Sequence, residues 1–135
     1  MPTEPSIVEY LHAHRVAVLA TNRKSGPPQQ TLIAYQFDGT NIAISVRGFS
    51  QKAKNLLRRP DASLAVIDGA RQLIVTGAVT VITDEAEVLR LNKERMRLIA
   101  QREESDSDLA ERLRREERVV LLVSPDRFYP ASMAQ

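Results

Sequence analysis

The sequence predicts a mainly β fold, a small antiparallel barrel carrying a few peripheral helices. Three observations lead there. About six apolar runs have strand composition, dense in Val, Ile, Leu and Ala. The connections at 24–28, 38–41 and 68–70 are too short for crossovers, so the strands they join are antiparallel. Helical patterns interrupt the strands only near 50–59 and 84–117, and such a sheet in meander or Greek-key order closes into a small barrel. The chain has 135 residues with no repeat, linker or low-complexity segment, which suits one domain over 1–135.

Ser6 and Glu9 read as a capping box, and Ile7, Val8 and Leu11 form an apolar stripe, predicting a helix from Pro5 to His14. RVAVLATN (15–22) is a strand. Gly26 and two prolines in KSGPP make a turn. QTLIAYQF (30–37) is the second strand, and Asp38-Gly39 turns it into NIAISVR (41–47), where Ile42, Ile44 and Val46 alternate with smaller residues. Gly48 and Ser50 close that strand and cap a helix that buries Ala53, Leu56 and Leu57 and stops at Pro60. SLAVIDG (63–69) and RQLIVTGAVTVIT (71–83) pair through Asp68-Gly69. Asp84 caps a charged helix to about Arg102, with Val88, Leu91, Leu98 and Ile99 inward. Ser105 starts another through Glu116, with Leu109 and Leu113 inward. RVVLLVS (118–124) is the last strand, ended by Pro125.

Composition narrows the function. The chain has no cysteine, which excludes disulfides and thiolate metal sites and fits a reducing cytoplasm. The first fifteen residues lack a signal-peptide core, and no run approaches the ~18 apolar residues of a membrane helix. Net charge is only +2. Residues 84–118 nearly balance acids and bases, whereas 41–60 are purely basic. A local anion site fits this better than a whole-surface field for nucleic acid. Three Phe, three Tyr and no Trp leave few platforms for base stacking.

The basic stretch is SVRGFSQKAKNLLRRP (45–60), with Arg47, Lys52, Lys54, Arg58 and Arg59. A helix start offers free N–H groups and partial positive charge. Ser50 caps or donates, and Gln51 and Lys52 stand in the first turn, so a phosphate there gains several donors at once. The alternative is that Ser50 merely caps and the lysines are solvated. There is no GxxxxGKS pattern, so this is not a nucleoside triphosphate loop. His12 and His14 point to different helix faces, which argues against a shared metal and for a role at the helix C-terminus. Ser25, Ser45 and Ser63 lack His–Asp partners, so nucleophilic catalysis has no support and no catalytic side chain is assigned. An anion pocket without chemical apparatus suggests an organic cofactor that brings the chemistry itself.

The order VAVLAT, SQKAKNLLRRP, RQLIVTG and LLVSPDRFY resembles the pyridoxamine phosphate oxidase-like group of split β-barrels over nearly the whole chain. The resemblance implies flavin or deazaflavin bound at a homodimer interface. It places Gln30, Thr31, Ile33 and Tyr35 along the ring, Val46 and Arg47 at the ring and ribityl chain, and Ser50, Gln51 and Lys52 on the phosphate. It brings Gln72 to the ring edge from the partner subunit. The oxidases carry Arg and Lys where this chain has Gln30 and Tyr35, and their C-terminal substrate-phosphate set has no counterpart here. Pyridoxamine phosphate oxidation is therefore not expected. SQKAKN with IDGARQL is closer to the branch that uses coenzyme F420, which includes biliverdin reductase-type enzymes. The expectation is a cytoplasmic F420-dependent oxidoreductase, passing a hydride to a conjugated acceptor. The alternatives are an FMN-dependent enzyme of the same fold, a non-catalytic cofactor-binding protein and a nucleic-acid binder.

Overall fold

A computed structural model describes residues 3–97 and 104–135. Helix α1 (Pro5–Ala13) leads into β1 (Val16–Thr21), β2 (Gln29–Ala34), β3 (Gln36–Phe37) and β4 (Ile42–Arg47). Helix α2 (Gln51–Arg58) follows, then β5 (Asp61–Asp68), β6 (Arg71–Ile82), α3 (Glu85–Arg95), α4 (Asp106–Arg115) and β7 (Arg118–Tyr129). The seven strands form one antiparallel sheet in the order β2-β1-β5-β6-β7-β4-β3. The sheet curls until β2 approaches β4 without a hydrogen-bonded ladder between them. This is a split β-barrel, mainly β with peripheral helices, as the sequence predicts.

The break that carries the chain from one sheet edge to the other falls at one residue. The run 30–37 is one predicted strand but two observed ones. At Tyr35 the chain leaves β1, and beyond it β3 pairs with β4 instead. Tyr35 donates its N–H to the carbonyl of Arg15 at 2.8 Å. Its side chain, 1% exposed, passes into the core and donates its hydroxyl to the carbonyl of Leu11 at 2.8 Å. Burial, and then the neighbouring Tyr10, raise the phenol's pKa well above the usual tyrosine range. The bend is thus anchored at both backbone and side chain.

The main core lies inside the curl. Ile7 and Leu11 of α1 and Ala53 and Leu56 of α2 pack against Leu19, Ile44, Leu64, Leu73, Val75 and Leu121 from the strands. A smaller cluster under α3 and α4 joins Val88, Leu91, Leu109 and Leu113 to Ala43 and Val120 on the sheet's other side. Asp84 and Ser105 cap α3 and α4 through the N–H groups of Glu87 and Asp108. Leu98, Ile99 and the helix end predicted at Arg102 lie outside the described residues.

Other expectations are corrected. The α1 cap is Glu4 with Pro5 behind it, not a Ser6–Glu9 box; Ser6 bonds to Glu4 and to the N–H of Met133 instead. Leu57 is 68% exposed, and Asn55 takes the inward place beside Leu56. Pro125 does not end β7. The strand runs on to Tyr129, with the register against β6 shifting between Thr76 and Gly77, beside Pro125, the kind of irregularity that tolerates a proline. Among the described residues no helix is long and apolar enough to cross a membrane.

Candidate functional site

The end of β4 and the start of α2 are held by a few backbone contacts. Gly48 donates to the carbonyl of Glu117 at 2.7 Å. A Cβ there would stand 3.0 Å from that oxygen, so a bare glycine suits the approach. Ser50 accepts from the N–H of Ala53 at 3.3 Å and caps α2. Asn55, wholly buried, ties the helix down. It donates to the hydroxyl of Thr21 at 3.1 Å and to Gln29 at 3.3 Å, and accepts from Gln51 at 2.8 Å. The first turn of α2 is thereby locked to β1 and β2.

Against this turn lies a groove of about 330 Å³, at the seam where β2 nears β4. Leu32, Ile33 and Ala34 line it from β2, and Val46 with Phe49 from the end of β4; Leu32 and Phe49 are exposed, whereas Ile33 and Val46 are buried and belong to the main core. Ser50, Lys52, Arg47, Arg95 and Arg118 supply its polar lining, with four cations and no acid among them. Arg47 stands 5.9 Å from the centre of the Phe49 ring, a cation–π contact. Arg118 is held by Glu116 at 2.9 Å and by the carbonyl of Ser45 at 3.3 Å. The hydrogen bond from Arg118 in turn lowers the Glu116 pKa. Arg95 comes from the end of α3, and its Nε is buried without a hydrogen-bond partner. Desolvation first, then Arg118 and Arg112, press its pKa downward, although a guanidinium remains charged at neutral pH.

The structure brings Ile33, Val46, Arg47, Ser50 and Lys52 together in the groove. Gln51 stands on the same turn but spends its amide on Asn55. Gln30 and Thr31 lie on β2 beyond the lining, and Tyr35 is in the core rather than on the groove. Gln72 is exposed on β6, opposite Ile67 of β5. Arg58 donates to the carbonyl of Asn22 and Arg59 pairs with Asp61 at 3.9 Å, so these two point away from the groove. His14 caps α1 by bonding the carbonyl of Tyr10 at 2.7 Å. Phe49, Asn55, Arg95 and Arg118 were missed. Arg118 faces Arg47 across the β4–β7 ladder, a like-charge pairing visible only once the register is known. A larger hollow of about 870 Å³ lies between α3 and α4. Its Arg90 and Lys93 are already paired with Glu87 and Asp106, so it is the weaker anion site.

The donor set of the groove fits a phosphate-bearing planar cofactor: apolar walls for a ring, a capped helix start and a lysine for phosphate. Comparison with known proteins agrees on the fold. A conserved hypothetical protein from Mycobacterium tuberculosis superposes with a TM-score of 0.80 at 21% identity, covering 95% of this chain and 83% of that one. An F420 reductase superposes at 0.69 with 23% identity, covering 89% and 93%. The heme storage protein of Vibrio cholerae superposes at 0.69 with 16% identity, covering 96% and 94%. No curated protein matches the chain. The family model for pyridoxamine 5'-phosphate oxidase matches residues 3–130, and the chain belongs to that family.

Proposed function

We propose that the groove binds a flavin-type cofactor, coenzyme F420 ahead of FMN, and that the protein is an oxidoreductase. The observation that carries this is the groove itself: an apolar lining exposed at Leu32 and Phe49, with Ile33 and Val46 as its floor, beside Ser50, the α2 N-terminus and Lys52 for a phosphate. Bound there, a reduced deazaflavin would supply hydride chemistry toward a conjugated or unsaturated acceptor, with a tetrapyrrole such as biliverdin as one candidate. The chain's own part is positioning. Ser50 and the first N–H groups of α2 orient the phosphate, and Lys52 neutralises it. Gln51 serves the same turn through Asn55. Gln30 and Thr31 continue the β2 wall, and Tyr35 acts from the core by fixing the bend behind Ile33. No side chain is assigned to proton delivery, and solvent takes that role. The low identity of the F420 reductase makes it support for the fold of such an enzyme only.

We infer further that the working unit is a homodimer in the cytoplasm. Leu32, Val18, Ala65, Ile74 and Tyr129 sit opposite one another in register across five strands. Leu32 is 73% exposed and Tyr129 68%, on the face away from the core. Leu32 also lines the groove. A second copy on this face would cover the apolar row and add a wall to the groove, and Gln72 lies on the same face.

Mass spectrometry of whatever co-purifies, followed by titration with F420 and FMN at low and high salt, tests the reading. Tighter F420 binding that weakens more steeply with salt is the expected result. Tighter FMN binding at both salts would replace the deazaflavin with FMN. Binding of F420 without reduction of any conjugated acceptor would make the protein a cofactor store.

A further inference from the structure

We propose that Arg95, with Arg47 and Arg118, forms a second oxyanion subsite in the groove, for a carboxylate or phosphate distinct from the phosphate at Ser50 and Lys52. The proposal rests on the reading of the groove as a cofactor site and extends it. Three observations carry it. The Nε of Arg95 is buried without a hydrogen-bond partner, the one such side-chain atom among the described residues. Arg47 and Arg118 stand directly opposite each other in the β4–β7 ladder, where like charges repel. Among the described residues Glu116 pairs with Arg118 and Arg112, and Glu104 with Arg112, so Arg118 has one carboxylate while no ion pair reaches Arg95 or Arg47.

A buried guanidinium N–H with no partner is costly, and neighbouring cations add to the cost. An oxyanion in the groove offsets both, since the guanidinium fork matches two oxygens of one carboxylate or phosphate. The position also separates the two anions. Lys52 and Ser50 belong to α2, whereas Arg95 ends α3, so the two sets reach the groove from different elements. The second anion has two sources: the carboxylate tail of the deazaflavin, or a carboxylate on the acceptor.

The test measures dissociation constants of wild type and Arg95→Leu for coenzyme F420, FMN and inorganic pyrophosphate, and for cinnamate added to cofactor-loaded protein. The Nε–H resonance of Arg95 is followed by NMR in each wild-type titration. The expected result is a saturable shift of that resonance and at least tenfold weaker pyrophosphate binding in Arg95→Leu. Loss of F420 affinity with FMN affinity kept identifies the tail as the source. Loss of cinnamate affinity with both cofactors unchanged identifies the acceptor. Unchanged affinity for all four probes with an unshifted resonance overturns the subsite. If wild type binds neither cofactor, the cofactor reading fails, and pyrophosphate alone decides the subsite by the same criterion. Should Arg95→Leu fail to fold, Arg95→Lys, which keeps the charge but loses the fork, is judged by the same dissociation constants.

Discussion

Lys52 stands half-buried in the first turn of α2, on the groove and paired with no carboxylate among the described residues. A charge-assisted bond to phosphate contributes about 1.5–3 kcal/mol, so Lys52→Ala is expected to weaken cofactor binding roughly ten- to hundredfold. Its thermal midpoint should hardly move, and a titration with an unchanged dissociation constant would remove Lys52 from the site. Asn55 behaves in the opposite way. Asn55→Ala removes three hydrogen bonds and leaves Thr21 and Gln29 only their long 3.5 Å contact with each other, so urea unfolding should show a loss of about 1–3 kcal/mol. Tyr35 makes a third, pH-dependent case. Its neutral form is favoured by the fold, because burial raises its pKa, and Tyr10 is raised for the same first reason. An unfolded tyrosine ionises near ~10, so this contribution is fully present below that pH. Stability should then fall as pH rises above ~10, where the unfolded chain loses protons that the folded chain keeps. A urea midpoint that stays level to pH 11 would contradict it. The sequence made Ser50 and Lys52 legible because caps and first-turn charges are local. Arg95 was not, because its place on the groove depends on how α3 packs on the sheet.

At the scale of elements, β6 and β7 show what local patterns miss. Pro125 looks like the end of a strand, yet β7 passes through it to Tyr129. The partner strand makes this feasible, since the register shifts between Thr76 and Gly77 just where Pro125 sits. Gly77 has the room that no other residue would have. A Cβ there would lie 2.1 Å from the carbonyl oxygen of Ser124. Gly77→Ala must therefore push two long strands apart, costing roughly 3 kcal/mol, which denaturant unfolding would read as a lower midpoint. A midpoint equal to wild type would mean that the bulge relaxes freely. The break at Tyr35 was hidden for a similar reason. QTLIAYQF has unbroken strand composition, and only the competition between β1 and β4 for its two halves splits it. Leu57 shows the same limit on a helix: the apolar stripe is ambiguous until Asn55 finds its three partners below.

At the scale of the whole molecule, α3 and α4 cover the outward face of the curled sheet only near β4 and β7, and β1, β2, β5 and the start of β6 stay uncovered there among the described residues. The inward face of β5 and β6 carries Leu64, Val66, Leu73 and Val75, all within the core. The outward face carries Ala65 and Ile74 in the apolar row, with Ile67 beside them at 55% exposure. A β-strand alternates faces, and a polar outer face is the usual result when it meets water. Apolar residues on both faces of the same strands call for a second layer. If that layer is another copy, sedimentation should give twice 15.1 kDa. Ile67→Asp should then give a folded monomer, because the charge would be buried unpaired only in the dimer. Gln72 faces Ile67 in register, so the dimer would carry it toward the other copy. This makes a stricter demand than the mass. Suppose each site takes Lys52 from one copy and Gln72 from the other. A mixed dimer of one Lys52→Ala chain and one Gln72→Ala chain then has one doubly defective site and one intact site. Random mixing should restore roughly a quarter of all sites to wild-type affinity. Neither variant alone should restore any. A mixture that binds no better than its parents would keep Gln72 within its own subunit, whatever the mass shows.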